Sequence, residues 1–214
     1  LRTDTIKIII CTPTLLFSDT TNVITNMWTI TANPSTPIWG TTTSSFVSSP
    51  NSYTDSPVGN YANNATVTMT SKEPINLSNY TNPKLKFFTR FDIENNYDYG
   101  QVRISTNNGT TWAPLQGQYT NPGTGSFQPN GQPLYDGLQN TWVAEDISLI
   151  GYTSNQNRLQ YELRTDGSVQ RDGWYLDDIS IYVFTIIPVE LSSFYVNSFN
   201  NKAHLFWTTS SELN

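Results

Sequence analysis

Between Lys84 and Trp112 the chain reads as two alternating runs around an acidic, Tyr-rich connection. Leu85, Phe87, Thr89, Phe91 and Ile93 share one parity while Lys86, Arg90 and Asp92 take the other, the period of two that buries one face of a strand. Val102 and Ile104 alternate in the same way with Gln101, Arg103 and Ser105. The second run ends at Asn107-Asn108-Gly109, whose tolerance of positive φ predicts a tight hairpin, with the return beginning at Trp112. The pattern makes this stretch the central hairpin of an antiparallel sheet.

The same reading extends outward. Ile6 to Cys11 and Leu15 to Phe17 look like a linker and a leading strand, separated by Pro13, which is expected to interrupt a continuous ladder. Asp19 to Asn26 is turn-like, and Ser49 to Asn60 is too rich in breakers for regular structure yet dense in oxygen donors. Ala65 to Ser71 alternates again and Ile75 to Leu77 is a short strand. Gln116 to Gly137 is a Gly/Pro/Gln-rich insertion long enough to be functional or mobile. Trp142 to Ile147, Arg158 to Arg164 and Trp174 to Phe184 close the domain. No segment has a helical period, so the fold class is all-β, an antiparallel sandwich. After Ile186-Ile-Pro188 a fresh strand begins, and Ala203 to Thr208 is its hairpin partner across Asn200-Asn201. The expected organisation is a linker over 1–14, one sandwich over 15–184, and over 185–214 a linker with the first hairpin of a truncated second domain.

Composition narrows the function. Of 214 residues only 13% are charged, 13% are aromatic, and the formal net charge is -6. Without a Lys/Arg stripe to replace phosphate counterions, nucleic acid is not the expected partner. Nothing approaches the ~20 apolar residues of a membrane helix, and Ile6 to Ile10 is too short for a signal core. Starting at Leu1, the chain reads as a piece of something longer. The lone Cys11 allows no intrachain disulfide.

Several phrases recur in order: Thr54-Asp-Ser-Pro-Val-Gly-Asn-Tyr-Ala-Asn-Asn64, Pro74-Ile-Asn-Leu-Ser78, Asp92-Ile-Glu-Asn-Asn-Tyr-Asp-Tyr99, Val102-Arg-Ile-Ser-Thr-Asn-Asn-Gly-Thr-Thr-Trp112 and Asp166-Gly-Ser-Val-Gln-Arg-Asp-Gly-Trp-Tyr-Leu-Asp-Asp-Ile179. They resemble the MAM-like jelly-roll modules that accompany secreted bacterial zinc carboxypeptidases and immune-inhibitor-A-type metallopeptidases, especially of Bacteroidetes, and more distantly the cleaved-adhesin modules of gingipain-type proteases. The likeness spans about Leu15 to Phe184. The tail from Pro188 resembles the opening of a fibronectin-III-like domain that precedes type IX secretion signals. The resemblance implies a jelly-roll sandwich, export to the cell surface or medium, and a catalytic domain upstream in the same polypeptide.

The residues argue against catalysis within this chain. A zinc peptidase needs His and carboxylate ligands at metal spacing, and the single histidine, His204, lies in the tail as an expected solvent-facing strand residue. Asp177 and Asp178 are consecutive on a strand, so their side chains cannot converge on one glycosidic bond. Parity groups Tyr175, Ile179, Ile181 and Val183 on the apolar face and turns Asp177 inward unless a bulge intervenes. An inward carboxylate needs donors or a cation.

The expected cofactor is structural calcium, held by oxygen ligands from Asp19, Asp55, Asn60, Asp177 and Asp178. The resemblance implies the site for Asp19 and the Asp177-Asp178 pair, where first and last strands of related jelly rolls adjoin. The alternative for these residues is Asx turns closing their own loops. Arg90, Arg103 and Arg164, at one parity with Asp92 and Glu162, suggest a polar face for glycan or a surface protein, aided by Tyr97 and Tyr99. The alternative is a solvated face with cross-strand ion pairs. Thr5 and Thr20 fall in short Asp-Thr motifs that match Bacteroidetes O-glycosylation sites. The expected function is a non-catalytic accessory module of a secreted peptidase, with a carbohydrate-binding or adhesion module of a non-peptidase surface protein as the rival.

Overall fold

A computed structural model describes residues 8–19, 23–189, 191–200 and 202–209. In chain order the elements are β1 (Ile8–Asp19), one helical turn α1 (Ile24–Met27), β2 (Trp28–Asn33), β3 (Gly40–Thr42), β4 (Ser52–Thr54), β5 (Thr66–Ser71), β6 (Lys84–Ile93), β7 (Tyr99–Ser105), β8 (Ala113–Pro114), β9 (Asn121–Pro122), β10 (Pro133–Leu134), β11 (Gly137–Ser148), β12 (Arg158–Arg164), β13 (Gly173–Val189), β14 (Leu191–Phe199) and β15 (Lys202–Thr209). Two sheets face each other. One has the order β11-β6-β13-β4-β3 with β1 also on β13, and the other runs β2-β5-β12-β7-β8. The fold is an all-β, antiparallel jelly-roll sandwich.

The alternation written in the sequence builds the core. Leu85, Phe87, Thr89, Phe91 and Ile93 of β6 are all buried, as are Val102 and Ile104 of β7. They meet Trp28, Tyr161 and Trp174, whose rings contact edge-on: Trp28 with Tyr161 at 5.8 Å, Phe87 with Tyr161 at 5.4 Å, Tyr161 with Trp174 at 5.8 Å. Such edge-to-face contacts add to area burial.

Three expectations change. First, β6 and β7 do not form a hairpin: β6 pairs with β11 and β13, whereas β7 pairs with β12 and β8. Residues 94–98 cross from one sheet to the other, since each run must bury its apolar parity against the opposite sheet. The predicted turn after β7 stands, with Ile104 opposite Ala113, Asn108 at φ 56 and Gly109 at φ 90. Second, β1 runs through Pro13 without a break. Among the described residues it pairs with β13. Third, the register of β13 against β6 shifts between Asp177 and Ser180. Before this bulge Trp174 and Leu176 enter the core; after it Ile179 and Ile181 do. Tyr175 and Asp177 are therefore on the outer face, buried there by loops; the bulge on which the reading of Asp177 was conditioned is present.

The chain forms two units, one over Leu15–Val183 and a second taking in the segments before Leu15 and after Val183. In the second, β14 and β15 form an antiparallel hairpin with Phe199 opposite Lys202 and Asn200 at φ 53.

Candidate functional site

The outer face of the second sheet carries an unusually dense polar ribbon. Gln101, Gln160, Glu162 and Thr68 point away from the core yet are nearly inaccessible, because their side chains cover one another. Arg103 on β7 organises them. Its Nε donates to Gln160 Oε1 at 3.0 Å, its Nη2 donates to both Gln160 Oε1 and Glu162 Oε2, the latter at 2.5 Å, and its guanidinium lies 5.8 Å from the Trp112 ring. Gln160 Nε2 extends the ribbon to Thr70 Oγ1 at 2.8 Å, and Thr31 and Thr68 join hydroxyls at 2.7 Å. Glu162 keeps one buried oxygen, Oε1, without a hydrogen-bond partner. Burial raises the Glu162 pKa against the opposing pull of Arg103 and Arg164.

The long insertion walls this face. Tyr99, opposite Arg164 on β12, contacts Phe127 with ring centroids 6.0 Å apart. Burial raises the Tyr99 pKa, and Arg164 lowers it. Gln101 Nε2 donates to the Pro133 carbonyl at 3.0 Å. The insertion is fastened from inside by Glu145 of β11, which accepts the amides of Gln118 at 2.7 Å and Tyr119 at 2.9 Å and the Tyr135 hydroxyl at 3.0 Å. This face presents to solvent the partly exposed Arg103 and the half-buried Trp112 beside it.

Of the four ligand residues expected from the sequence, Arg103 and Tyr99 share this face. Arg90 does not. It belongs to β6 in the opposite sheet, where it sits 4.6 Å over the Tyr175 ring and 3.5 Å from Asp172. Equal parity on two strands fixes the same face only if the strands share a sheet. Tyr97 is exposed in the β6–β7 connection, apart from the ribbon. Gln160, the hub that sequence reasoning passed over, was signalled by its shared parity with Glu162.

The five residues expected to hold calcium serve mainly as hydrogen-bond acceptors or ties for loops. Asp19 Oδ2 accepts the Trp28 indole N–H and the Tyr53 hydroxyl, the latter at 2.8 Å. Asp177 accepts the amides of Val47 at 2.6 Å, Ser48 at 3.0 Å and Asp178 at 2.8 Å, and Asp178 accepts the Ser48 hydroxyl at 2.7 Å. Asp55 accepts the Trp174 amide at 2.6 Å, and Asn60 donates to the Gln170 carbonyl at 3.2 Å. Burial drives the Asp55 pKa up to about 7, against the lowering effect of the Trp174 amide and the Ser56 hydroxyl. Among the described residues, none of these carboxylates joins a group of three metal-type side chains. Protein N–H and O–H donors occupy several of these oxygens, while the buried Oδ2 of Asp55 has no hydrogen-bond partner. Thr5 and Thr20 lie outside the described residues. His204, on β15, is exposed.

One group of three does form. Glu94, Asp98 and Asp166 bring carboxylate oxygens within 4.8 Å of one another. Glu94 and Asp98 stand four residues apart in one connection, but Asp166 comes 68 residues later, and no spacing rule joins them. Burial raises the Asp98 pKa to about 6, opposed by the Asp166 amide.

The family model for "Immune inhibitor A-like, MAM domain" matches residues 53–185. Among curated proteins, the chain is 26% identical over 121 residues to Bacillopeptidase F of Bacillus subtilis (strain 168), covering 56% of this chain and 7% of that protein. It is 28% identical over 110 residues to the Pre-pro-metalloprotease PrtV of Vibrio cholerae (strain M66-2), covering 51% of this chain and 11% of that protein. Among solved structures it is similar to the K1 cleaved adhesin domain of Lys-gingipain from Porphyromonas gingivalis W83, with a TM-score of 0.47 and 13% identity over 80% of this chain and 98% of that one. It is also similar to a xylan-binding domain from CBM 22, with a TM-score of 0.42 and 13% identity over 79% and 94%.

Proposed function

The chain belongs to the immune inhibitor A-like MAM domain family, and on that premise we propose that it is an accessory module of a secreted or cell-surface peptidase, spacing or docking a catalytic domain of the same polypeptide. The chain itself is non-catalytic. The observation that carries the reading is the family match across residues 53–185, from β4 into β13. The shared segment is a small part of each curated relative, as befits a module attached to chemistry located elsewhere. No helix among the described residues is long and apolar enough to cross a membrane.

Origin in Bacteroidetes, type IX export, a following fibronectin-III-like domain and O-glycans on Thr5 and Thr20 are finer parts of the same proposal. An intact mass equal to the bare polypeptide overturns the glycan element. The reading frame that encodes the chain tests the main one: a peptidase domain within it supports the accessory role, and a frame without one overturns it.

The second reading is a carbohydrate-binding or adhesion module, and the Arg103–Gln160–Glu162 ribbon beside Trp112 favours it. A glycan array of the wild type and Trp112→Ala decides it. A ligand bound by the first and lost in the second supports the reading; an array without binders sinks it.

A further inference from the structure

Leu159, Tyr161 and Leu163 of β12 fill the core, so Arg158, Gln160, Glu162 and Arg164 line its outer face. From Arg158 to Arg164 this line runs for about 20 Å. The register places Arg103 of β7 beside Gln160 on one side, and on the other Thr70, Thr68 and Thr66 of β5 beside Gln160, Glu162 and Arg164. Thr29 and Thr31 of β2 continue the last two rows outward from Thr70 and Thr68. Gln160 and Glu162 are a closed floor, whereas Arg164, Thr29 and Thr31 are exposed.

The charge of this face runs against that of the chain, whose formal net charge is -6. On the outer face of the first sheet cations meet acids, Lys84 with Asp146 at 3.0 Å and Arg90 with Asp172 at 3.5 Å. The strands of the second sheet instead turn outward three arginines, Arg103, Arg158 and Arg164, against one carboxylate, Glu162, a surplus of two positive charges. Arg103 takes up Glu162. Arg158 donates to neutral oxygens, Asn108 Oδ1 at 2.8 Å and the Ser71 carbonyl at 2.8 Å. Arg164 stands in solvent at the far end of the line, opposite Tyr99. The acids Glu94, Asp98 and Asp166 gather past the strand ends, in the connections.

We propose that this face binds an acidic polysaccharide, a chain of sugars bearing carboxylates, laid along β12 with Arg164 as its principal carboxylate contact. The inference rests on the carbohydrate-binding reading above and names the class of glycan. A planar guanidinium grips a carboxylate through two parallel hydrogen bonds, and the exposed Arg164 is placed to do so. The threonine hydroxyls of β5 and β2 both donate and accept, as sugar hydroxyls require. Rings stand at both ends of the line, Trp112 by Arg103 and Phe127 by Tyr99, and each offers an apolar surface to a sugar face. A neutral glycan would leave the surplus positive charge unanswered; a repeating anion answers it along the whole line.

The test is affinity gel electrophoresis of the 214-residue chain in polygalacturonate, with neutral xylan and β-1,4-galactan as comparison gels, at low and high salt. The proteins are the wild type, Arg164→Gln, Arg164→Lys and, from the opposite sheet, Lys86→Gln. Polygalacturonate is expected to retard the wild type and Lys86→Gln alike, and the retardation to fall as salt rises. Arg164→Gln is expected to weaken binding at least about fivefold, with Arg164→Lys between the two because it keeps the charge and loses the fork. Arg164 is exposed, so a thermal midpoint equal to that of the wild type checks that its variants fold. Equal weakening by Lys86→Gln and Arg164→Gln means attraction to charge in general and overturns the site, as does unchanged affinity in Arg164→Gln. Retardation by a neutral glycan without any by polygalacturonate overturns the inference and leaves the carbohydrate-binding reading standing. Retardation by none of the three overturns the inference, and the glycan array then decides the broader reading.

Discussion

Arg103 shows how one side chain can hold a polar face together. Removing it leaves the buried Glu162 with only the more distant pull of Arg164, so Arg103→Ala is expected to lower stability by about 3 kcal/mol in urea unfolding. Replacing the pair together, Arg103→Met with Glu162→Leu, costs much less, because an apolar pair needs no partner. Asp55 and Asp98 make a second prediction. Their folded pKa values, about 7 and about 6, exceed the ordinary carboxylate value of about 3.9. Between those values the native state binds more protons than the unfolded state, so stability falls as pH rises from about 4 to about 7. Thermal unfolding in EDTA should show a midpoint that drops across that window, and Asp55→Asn should flatten the slope. A midpoint that climbs instead refutes the assignment.

At the scale of elements, one extra residue decides which face a strand presents. Asp178 adopts φ 50 at the bulge in β13, a conformation that Asp tolerates and a β-branched residue does not. Asp178→Val is expected to cost about 2 kcal/mol, and Asp178→Gly, which loses the Ser48 hydrogen bond but fits the backbone, clearly less. Equal losses would remove the conformational explanation. Glu145 plays the corresponding part for the long insertion, since one carboxylate accepts three donors from residues 118–135. Glu145→Ala strands those donors and is expected to cost about 1–3 kcal/mol. Chymotrypsin should then cut within 116–137 at least several-fold faster than in the wild type. The composition of the insertion suggests mobility, but its hydrogen bonds are made from β11, a contact that local sequence does not express.

For the whole molecule, the contact pattern sets Leu15–Val183 apart as a unit with its own core. A fragment limited to those residues should therefore unfold cooperatively with a midpoint within a few degrees of the full chain. Loss of cooperativity in calorimetry would show that the flanking segments are required. The end of the sandwich holding Asp55, Glu94, Asp98 and Asp166 is where inter-sheet connections gather, so acidic residues far apart in sequence meet there.

The sequence by itself determined the strands and their buried parity, because a period of two is a local consequence of backbone geometry. Thus β6, β7, β12 and the turn at Asn108-Gly109 were legible, as was Arg103 on an outward face. Only the tertiary structure decided which strands share a sheet, and so separated Arg90 from Arg103. It also set where β13 bulges, and so turned Asp177 outward. Finally, it brought Asp166 against Glu94 and Asp98. Each of these depends on pairing across tens of residues, where the free energy is settled by how two sheets bury their apolar faces together rather than by any residue's neighbours in the chain.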